Sequence, residues 1–247
     1  IIAKKYKCRI LNHHSDIGGR YSVFSNVGLL PAVMAGLDIS QIRLGARNLI
    51  TDTLNGSFKE HLRSAYLLKK LQDSKKINLN VLMTYSDSLY YFGKWYLQLW
   101  SESIGKNFKG ITPIHSIGTT DQHSQLQLYL DGPKDKFFTL ITKDHRNLGL
   151  KMNNQFLKNT NAKYLVGKKM GDLMHAEQQA TLNTFISSKL PIREIFCNNI
   201  NEYTIGQLLA FNILEVISIC TLIKVNPFNQ PAVEKGKKLT KQYLSKY

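Results

Sequence analysis

Apolar residues along this chain fall into short runs, separated by longer stretches in which they recur every three or four positions. The short runs, residues 6–11, 77–84, 136–142 and 193–197, read as strands, although the apolar alternation of the second is only moderate. Helical spacing begins near Tyr21. Pro31 cannot sit inside a continuous helix without losing a backbone bond, so a short helix to about Gly28 and a second starting near Leu30, with Pro31 in its first turn, are expected. Ser40 is placed as the cap of a helix reaching Leu54, followed by helices over 61–72 and 86–101. Residues 105–117, with Pro113 and two glycines, read as irregular. Further helices are expected over 122–130, most of 161–183, 204–224 and 232–244. Strands alternating with helices imply an α/β fold with a parallel sheet covered on both faces, a three-layer αβα arrangement ending in a C-terminal helical extension. With no internal repeat and no low-complexity linker, residues 1–247 read as a single domain.

Composition narrows this picture. An apolar content of 43% argues for a packed core and against disorder. Cys8, Cys197 and Cys220 are far apart and form no C-x-x-C pair, which fits buried structural thiols in a reducing, cytoplasmic compartment. The chain opens Ile1-Ile2-Ala3 without an initiator methionine or a signal-peptide pattern, so its N-terminus is expected to be a cut or an incomplete reading frame. Gln207, Asn212 and Glu215 interrupt the most hydrophobic run, 204–223, which therefore reads as a buried helix and not a membrane span. A net charge of +16 could attract nucleic acid, but the lysines are scattered and no nucleic-acid motif accompanies them. A basic surface whose field also favours small anionic substrates is the simpler reading.

Four separated segments carry the candidate chemistry. Gly18-Gly19-Arg20-Tyr21-Ser22 puts two glycines before a helix start, where the backbone can approach an anion and Arg20 adds a permanent charge with a rigid fork of donors. Trp100-Ser101-Glu102-Ser103-Ile104-Gly105-Lys106 places Glu102 at the end of an aromatic helix. The macrodipole disfavours a carboxylate there, and an apolar rim tends to raise its proton affinity, which suits a general base. In Asp121-Gln122-His123-Ser124, a histidine able to shuttle protons near neutral pH opens a helix between polar neighbours. In Asn226-Pro227-Phe228-Asn229-Gln230-Pro231, two prolines stiffen a loop that could hold the Gln230 carboxamide still, and Lys237 follows on the last helix. Taken alone, each segment is as well read as a glycine turn, a solvated charge or a surface ring. No residues stand at metal-ligand spacing: His13 and His14 are adjacent in a loop, and His115 has no partner.

Together, the segments resemble phosphoglucose isomerase, in particular the short bacterial branch of that family. The likeness runs in order through Gly18-Gly19-Arg20-Tyr21-Ser22-Val23, Val27-Gly28-Leu29-Leu30-Pro31, Trp100-Ser101-Glu102-Ser103, Asp121-Gln122-His123-Ser124, Thr204-Ile205-Gly206, and Asn226 to Lys237 with its Glu234-x-x-Lys237 ending. The resemblance implies a sugar-isomerase (SIS) domain that interconverts glucose 6-phosphate and fructose 6-phosphate through a cis-enediolate, in glycolysis and gluconeogenesis, with no cofactor. It implies Glu102 as the base between C1 and C2, Arg20 as the stabiliser of the enediolate, His123 and Lys237 as aids to ring opening, and Gly19 and Gln230 in contact with substrate. It also implies a cytoplasmic homodimer in which the histidine reaches the partner's site, with neither nucleic acid nor membrane as a partner. Asn229 stands where the family usually has aspartate. The family's preceding half, with a Ser/Thr-rich loop that grips the substrate phosphate, has no counterpart here. The chain is therefore expected to be the C-terminal half of a longer enzyme, inactive or weakly active by itself. A non-catalytic sugar-phosphate-binding module and a basic nucleic-acid-binding protein are the alternatives.

Overall fold

A strand covered on both faces must be apolar or small at nearly every position, and two segments of this chain meet that demand: both become the middle strands of a sheet. The computed structural model describes residues 1–74, 76–157 and 160–247. Along the chain run α1 (Ile2–Lys5), α2 (Asn26–Met34), α3 (Ile39–Leu54), α4 (Glu60–Asp73), β1 (Leu79–Thr84), α5 (Tyr90–Ile104), β2 (Thr112–Ile117), α6 (Thr120–Asp131) and β3 (Lys136–Lys143). They are followed by α7 (Asn154–Leu157), α8 (Met170–Ser187), β4 (Ile192–Cys197), α9 (Glu202–Leu222) and α10 (Glu234–Leu244). The residues divide into two compact units. One, mostly helical, comprises Ile1–Lys69, Gln98–Gly110 and Ile205–Tyr247; the other comprises Lys70–Leu97 and Ile111–Thr204 and holds the sheet.

The sheet unit has four parallel strands in the order β2-β1-β3-β4. The chain steps outward from β1 to β2, then back past β1 to β3. Because parallel crossovers are right-handed, that reversal sends the connecting helices to opposite faces. Residues 90–97 of α5 cover the face that carries Asn80, Leu82 and Thr84: Asn80 Nδ2 donates to the Tyr96 hydroxyl at 2.5 Å. On the same face, Gly93 lies so close to the His115 ring that a Cβ would fall 2.1 Å from it. Helices α6 and α8 cover the other face, where Tyr129, Leu182 and Phe185 bury Val81, Met83, Phe138 and Leu140. The Phe138 and Phe185 rings are 4.5 Å apart. The unit is thus the expected αβα sandwich.

In the helical unit, α3 and α9 meet where a Cβ on Gly206 would lie 2.0 Å from the Ile42 carbonyl oxygen. Only glycine allows the two backbones to come this close. Ala46, Leu49 and Ala210 continue the seam, flanked by Phe24, Phe58, Phe211 and Leu214. Helix α9 has the length and apolar composition to cross a membrane. Here it is a packed helix whose buried polar groups are satisfied: Glu215 accepts from the Ser64 hydroxyl, and Asn212 donates to the Leu208 carbonyl at 2.7 Å.

Several expectations need correction. Residues 6–11 form no strand: each is exposed, and no strand among the described residues pairs with them. The chain after Gly18 makes a 3-10 turn, Gly19–Phe24, and a single α2 then carries Pro31 in its interior. Ser25, whose hydroxyl accepts from the Val27 N–H, starts that helix earlier than the proline suggests. Asp38, not Ser40, caps α3, accepting from the Ser40 and Gln41 amides. The region read as irregular contains β2. Its weak apolar signal and Pro113 have one cause: β2 is an edge strand, only partly buried, and along its unpaired edge a missing N–H does little harm. Residues 161–169 hold a 3-10 turn and, at Lys169, an isolated bridge to Lys151, so α8 starts later than expected. Of the three thiols, Cys8 is exposed and only Cys197 and Cys220 are buried.

Two outcomes follow from this packing. Gly206→Ala should lower stability by about 1–3 kcal/mol in urea denaturation, since neither backbone can retreat without disturbing the seam. A variant as stable as the parent would show that α3 and α9 are not in such contact. The second concerns His115, whose pKa burial pulls down to about 4, with Lys94 adding to the effect and Asp121 opposing it. An unfolded histidine titrates near 6.5, so between about pH 6.5 and 4 the unfolded chain binds a proton that the folded one refuses. Stability should fall as pH is lowered through that window, and His115→Gln should flatten the slope. An unchanged slope in the variant would contradict this account.

Candidate functional site

The site grows from the 3-10 turn that follows two glycines. Gly18 is extended (φ −66°, ψ 157°), and Gly19 opens the turn with free space beside its Cα. The Ser22 hydroxyl donates to the Gly19 carbonyl at 2.8 Å and locks the turn. Arg20 is thereby directed inward and is only 1% exposed. Its Nε donates to the Ser103 hydroxyl at 2.9 Å. One terminal nitrogen donates to Glu102 Oε2 at 3.0 Å and to Gln230 Oε1. The other donates to the Pro227 and Asn229 carbonyls at 2.6 and 3.1 Å. All five N–H bonds of the guanidinium therefore have an acceptor.

Glu102 lies in the last turn of α5 with its side chain 29% exposed, and its second oxygen accepts from Gln98 Nε2 at 3.1 Å. Its nearest neighbours are thus a guanidinium and a carboxamide, not the apolar rim expected from the aromatic helix. Tyr21 completes the wall: its hydroxyl meets Ser103 Oγ at 2.9 Å and donates to the Pro227 carbonyl, and its ring packs on Phe228. Burial raises the Tyr21 pKa, so this hydroxyl stays protonated. Cys220 lies behind Ser103 with its thiol pushed up to about 11 by burial, too high to serve as a nucleophile at neutral pH.

Arg20, Glu102 and Gln230, three of the expected site residues, are therefore gathered in the helical unit from three distant segments. Lys237 belongs to the same unit but lies on α10, exposed, with its ammonium 2.7 Å from the Glu234 carboxylate. His123 belongs to the sheet unit, in the first turn of α6 with its side chain open to solvent. There the Asp121 carboxylate accepts the Ile117 N–H at 2.7 Å, and Gln122 accepts from the Tyr85 hydroxyl at 2.7 Å. The polar neighbours of His123 thus serve the corner between β2 and α6. Burial pushes Tyr85 up to about 12, which keeps it a donor to Gln122. Sequence reasoning missed Ser103, Tyr21 and the carbonyls of Pro227 and Asn229. All four lie inside the quoted segments, but only the fold shows that they serve Arg20. The Asn229 side chain is not what meets the guanidinium, so an asparagine in place of aspartate leaves that contact intact.

The structure thus joins an α/β sheet unit to a helical unit in which one carboxylate is held against one buried cation, a pairing that chemistry can use for proton transfer beside a developing oxyanion. The phosphoglucose isomerase family model matches residues 6–247. Glucose-6-phosphate isomerase from Rubrobacter xylanophilus is 37% identical over 229 residues, covering 91% of this chain and 52% of that protein. The enzyme of the same name from Methanocaldococcus jannaschii is 38% identical over 241 residues, covering 96% of this chain and 58% of that protein. A crystal structure of a hypothetical protein from Thermus thermophilus superposes with a TM-score of 0.89 at 30% identity, covering 98% of this chain and 59% of its own. A glucose-6-phosphate isomerase from Chlamydia trachomatis shares the fold, with a TM-score of 0.78 at 22% identity over 95% of this chain and 48% of its own. The chain belongs to the phosphoglucose isomerase family. It spans little more than half the length of the curated relatives it matches.

Arg20→Lys keeps the charge but has three donors for five acceptors and cannot reproduce the fork. Each buried acceptor left without a donor costs about 1–3 kcal/mol, so thermal denaturation should show a clear loss of stability. Equal melting temperatures for variant and parent would mean that the guanidinium network contributes nothing.

Proposed function

We propose that this chain, acting as one C-terminal sugar-isomerase domain, carries the proton-transfer machinery of a cytoplasmic glucose-6-phosphate isomerase, with open-chain glucose 6-phosphate and fructose 6-phosphate as its substrates. The observation that carries the reading is the 3.0 Å contact between the Glu102 carboxylate and the Arg20 guanidinium, with Gln230 on the same nitrogen. Starting from the aldose, Glu102 takes the proton from C2 as the C2–H electron pair forms the C1–C2 double bond and the carbonyl electrons move onto O1. Arg20 stabilises the negative oxygen of the resulting cis-enediolate. The hydroxyl proton passes from O2 to O1, the same carboxyl group returns its proton to C1, and the charge on O2 collapses to the ketone at C2. One base serves both carbons, and one fixed cation lowers the barrier on both sides of the intermediate.

His123 and Lys237 are assigned to ring opening, Gly19 and Gln230 to contact with the substrate, and His123 acts across a homodimer. These roles rest on family membership and on the positions of the residues in the matched segments. An exposed imidazole and an exposed ammonium are both accessible for that work.

The test uses glucose 6-phosphate in a coupled dehydrogenase assay. Because binding energy from the remote phosphate positions the reacting carbons, the 247-residue chain alone should turn over at background. A chimera that joins it to the unmatched portion of the M. jannaschii relative should be active. In that chimera, Glu102→Gln should cut kcat on the order of 10²- to 10⁴-fold while leaving substrate binding nearly unchanged. Undiminished turnover by the variant would remove Glu102 from its role, and an inactive parent chimera would remove the reading as a whole.

A further inference from the structure

The 226–230 loop, which supplies Gln230 and two carbonyls to Arg20, must be held against the helix that supplies Glu102. The hold comes from a turn just after α5. Asn107 and Phe108 both take left-handed backbone conformations (φ 54° and 58°), and the Lys109 N–H closes the turn on the Lys106 carbonyl at 2.9 Å. Two lysines thus stand side by side at the ends of one tight turn. Lys106 Nζ donates to three carbonyls: Glu102 at 2.8 Å, Ser103 at 2.6 Å and Asn226 at 2.7 Å. Lys109 Nζ donates to the Ile223 carbonyl at 2.8 Å.

The four acceptors fall into two groups. Glu102 and Ser103 lie in the last turn of α5, whose final carbonyls have no partners inside the helix. Ile223 and Asn226 lie just beyond the end of α9, on the segment that becomes the Gln230 loop. A cation at a helix C-terminus also meets the negative end of the macrodipole. Lys106 therefore satisfies the end of the helix carrying the proposed base and, through the same nitrogen, ties that end to the substrate-facing loop. Partial burial lowers the pKa of Lys106, with the Arg20 charge adding to the effect and Glu102 opposing it.

We propose that the Lys106–Lys109 turn is a two-point clamp that sets the Gln230 loop in register with Glu102 and Arg20, making Lys106 a positioning residue for the reaction. This rests on the proton-transfer reading for its catalytic consequence, whereas the clamp itself is a property of the folded chain.

Hydrogen exchange read by mass spectrometry on the 247-residue chain tests the clamp independently of catalysis. In Lys106→Met, the 226–230 segment should exchange on the order of ten- to a hundredfold faster, while β1 and β3 keep their protection. Lys106→Arg, which keeps a cation at the carbonyls, should restore most of that protection. In the chimera, Lys106→Met should lower kcat on the order of tenfold or more with KM within about threefold, the pattern of misplaced reacting groups rather than lost ground-state binding. Unchanged exchange in the loop overturns the clamp, whatever turnover does. Faster exchange with undiminished kcat overturns the positioning role. An inactive parent chimera overturns the isomerase reading, and the exchange result then decides the clamp alone. If Lys106→Met does not fold, Lys109→Met, at an exposed position, decides by the same exchange measurement, with a loosened 223–230 segment expected and an unchanged one overturning the proposal.

Discussion

A guanidinium removed from water must find an acceptor for each of five N–H bonds, and meeting that demand at Arg20 organises the helical unit. A buried charge left without partners costs far more than any one contact contributes, so the acceptors have to be present and immobile. They come from a hydroxyl, a carboxylate, a carboxamide and two backbone carbonyls, drawn from α5 and from the loop after α9. Because the backbone contributes two of the five, the loop conformation and not only its side chains is under constraint. The two prolines that bracket it limit the conformations available and so reduce the entropy lost in holding it there.

The same economy appears at the helix ends. Helices commonly finish with a left-handed glycine that satisfies their last carbonyls. Here the ammonium of Lys106 does so for α5, and that of Lys109 serves the carbonyl just past α9. A side-chain cap of this kind can reach two segments at once, which a glycine cannot. Glu102 is thus placed where a helix dipole works against its charge, and the nearby cations, Arg20 beside the carboxylate and Lys106 at the carbonyls, offset that misfit. The sheet unit solves a different problem. Its corner between β2 and α6 is tied by Asp121, Gln122 and Tyr85, which leaves the turn bearing the His123 imidazole fixed in backbone but open in side chain.

Much of this was legible in the residues. Strands β1, β3 and β4 showed their apolar character, and the segments containing Arg20, Glu102, His123 and Gln230 stood out by their glycines, prolines and charged residues. Strand β2 did not, because an edge strand is relieved of the need to be apolar throughout, and a proline can sit in it unpunished. Residues 6–11 misled in the opposite sense: a short apolar run makes a strand only where another strand offers it hydrogen bonds. Pro31 misled because one lost backbone bond is tolerable when Ser25 caps the helix before it.

The chain by itself determined its local chemistry: which residues carry charge, where glycines and prolines stand, and enough alternation of strands with helices for an α/β sandwich to follow. Those properties depend on neighbours a few positions away. Only the tertiary structure decided that Arg20 would be served by Ser103 and Pro227, that Glu102 would face a guanidinium in place of an apolar rim, and that Lys106 would bridge two segments 120 positions apart. Hydrogen bonds act over about 3 Å in space and are indifferent to separation along the chain, so no local pattern could record them.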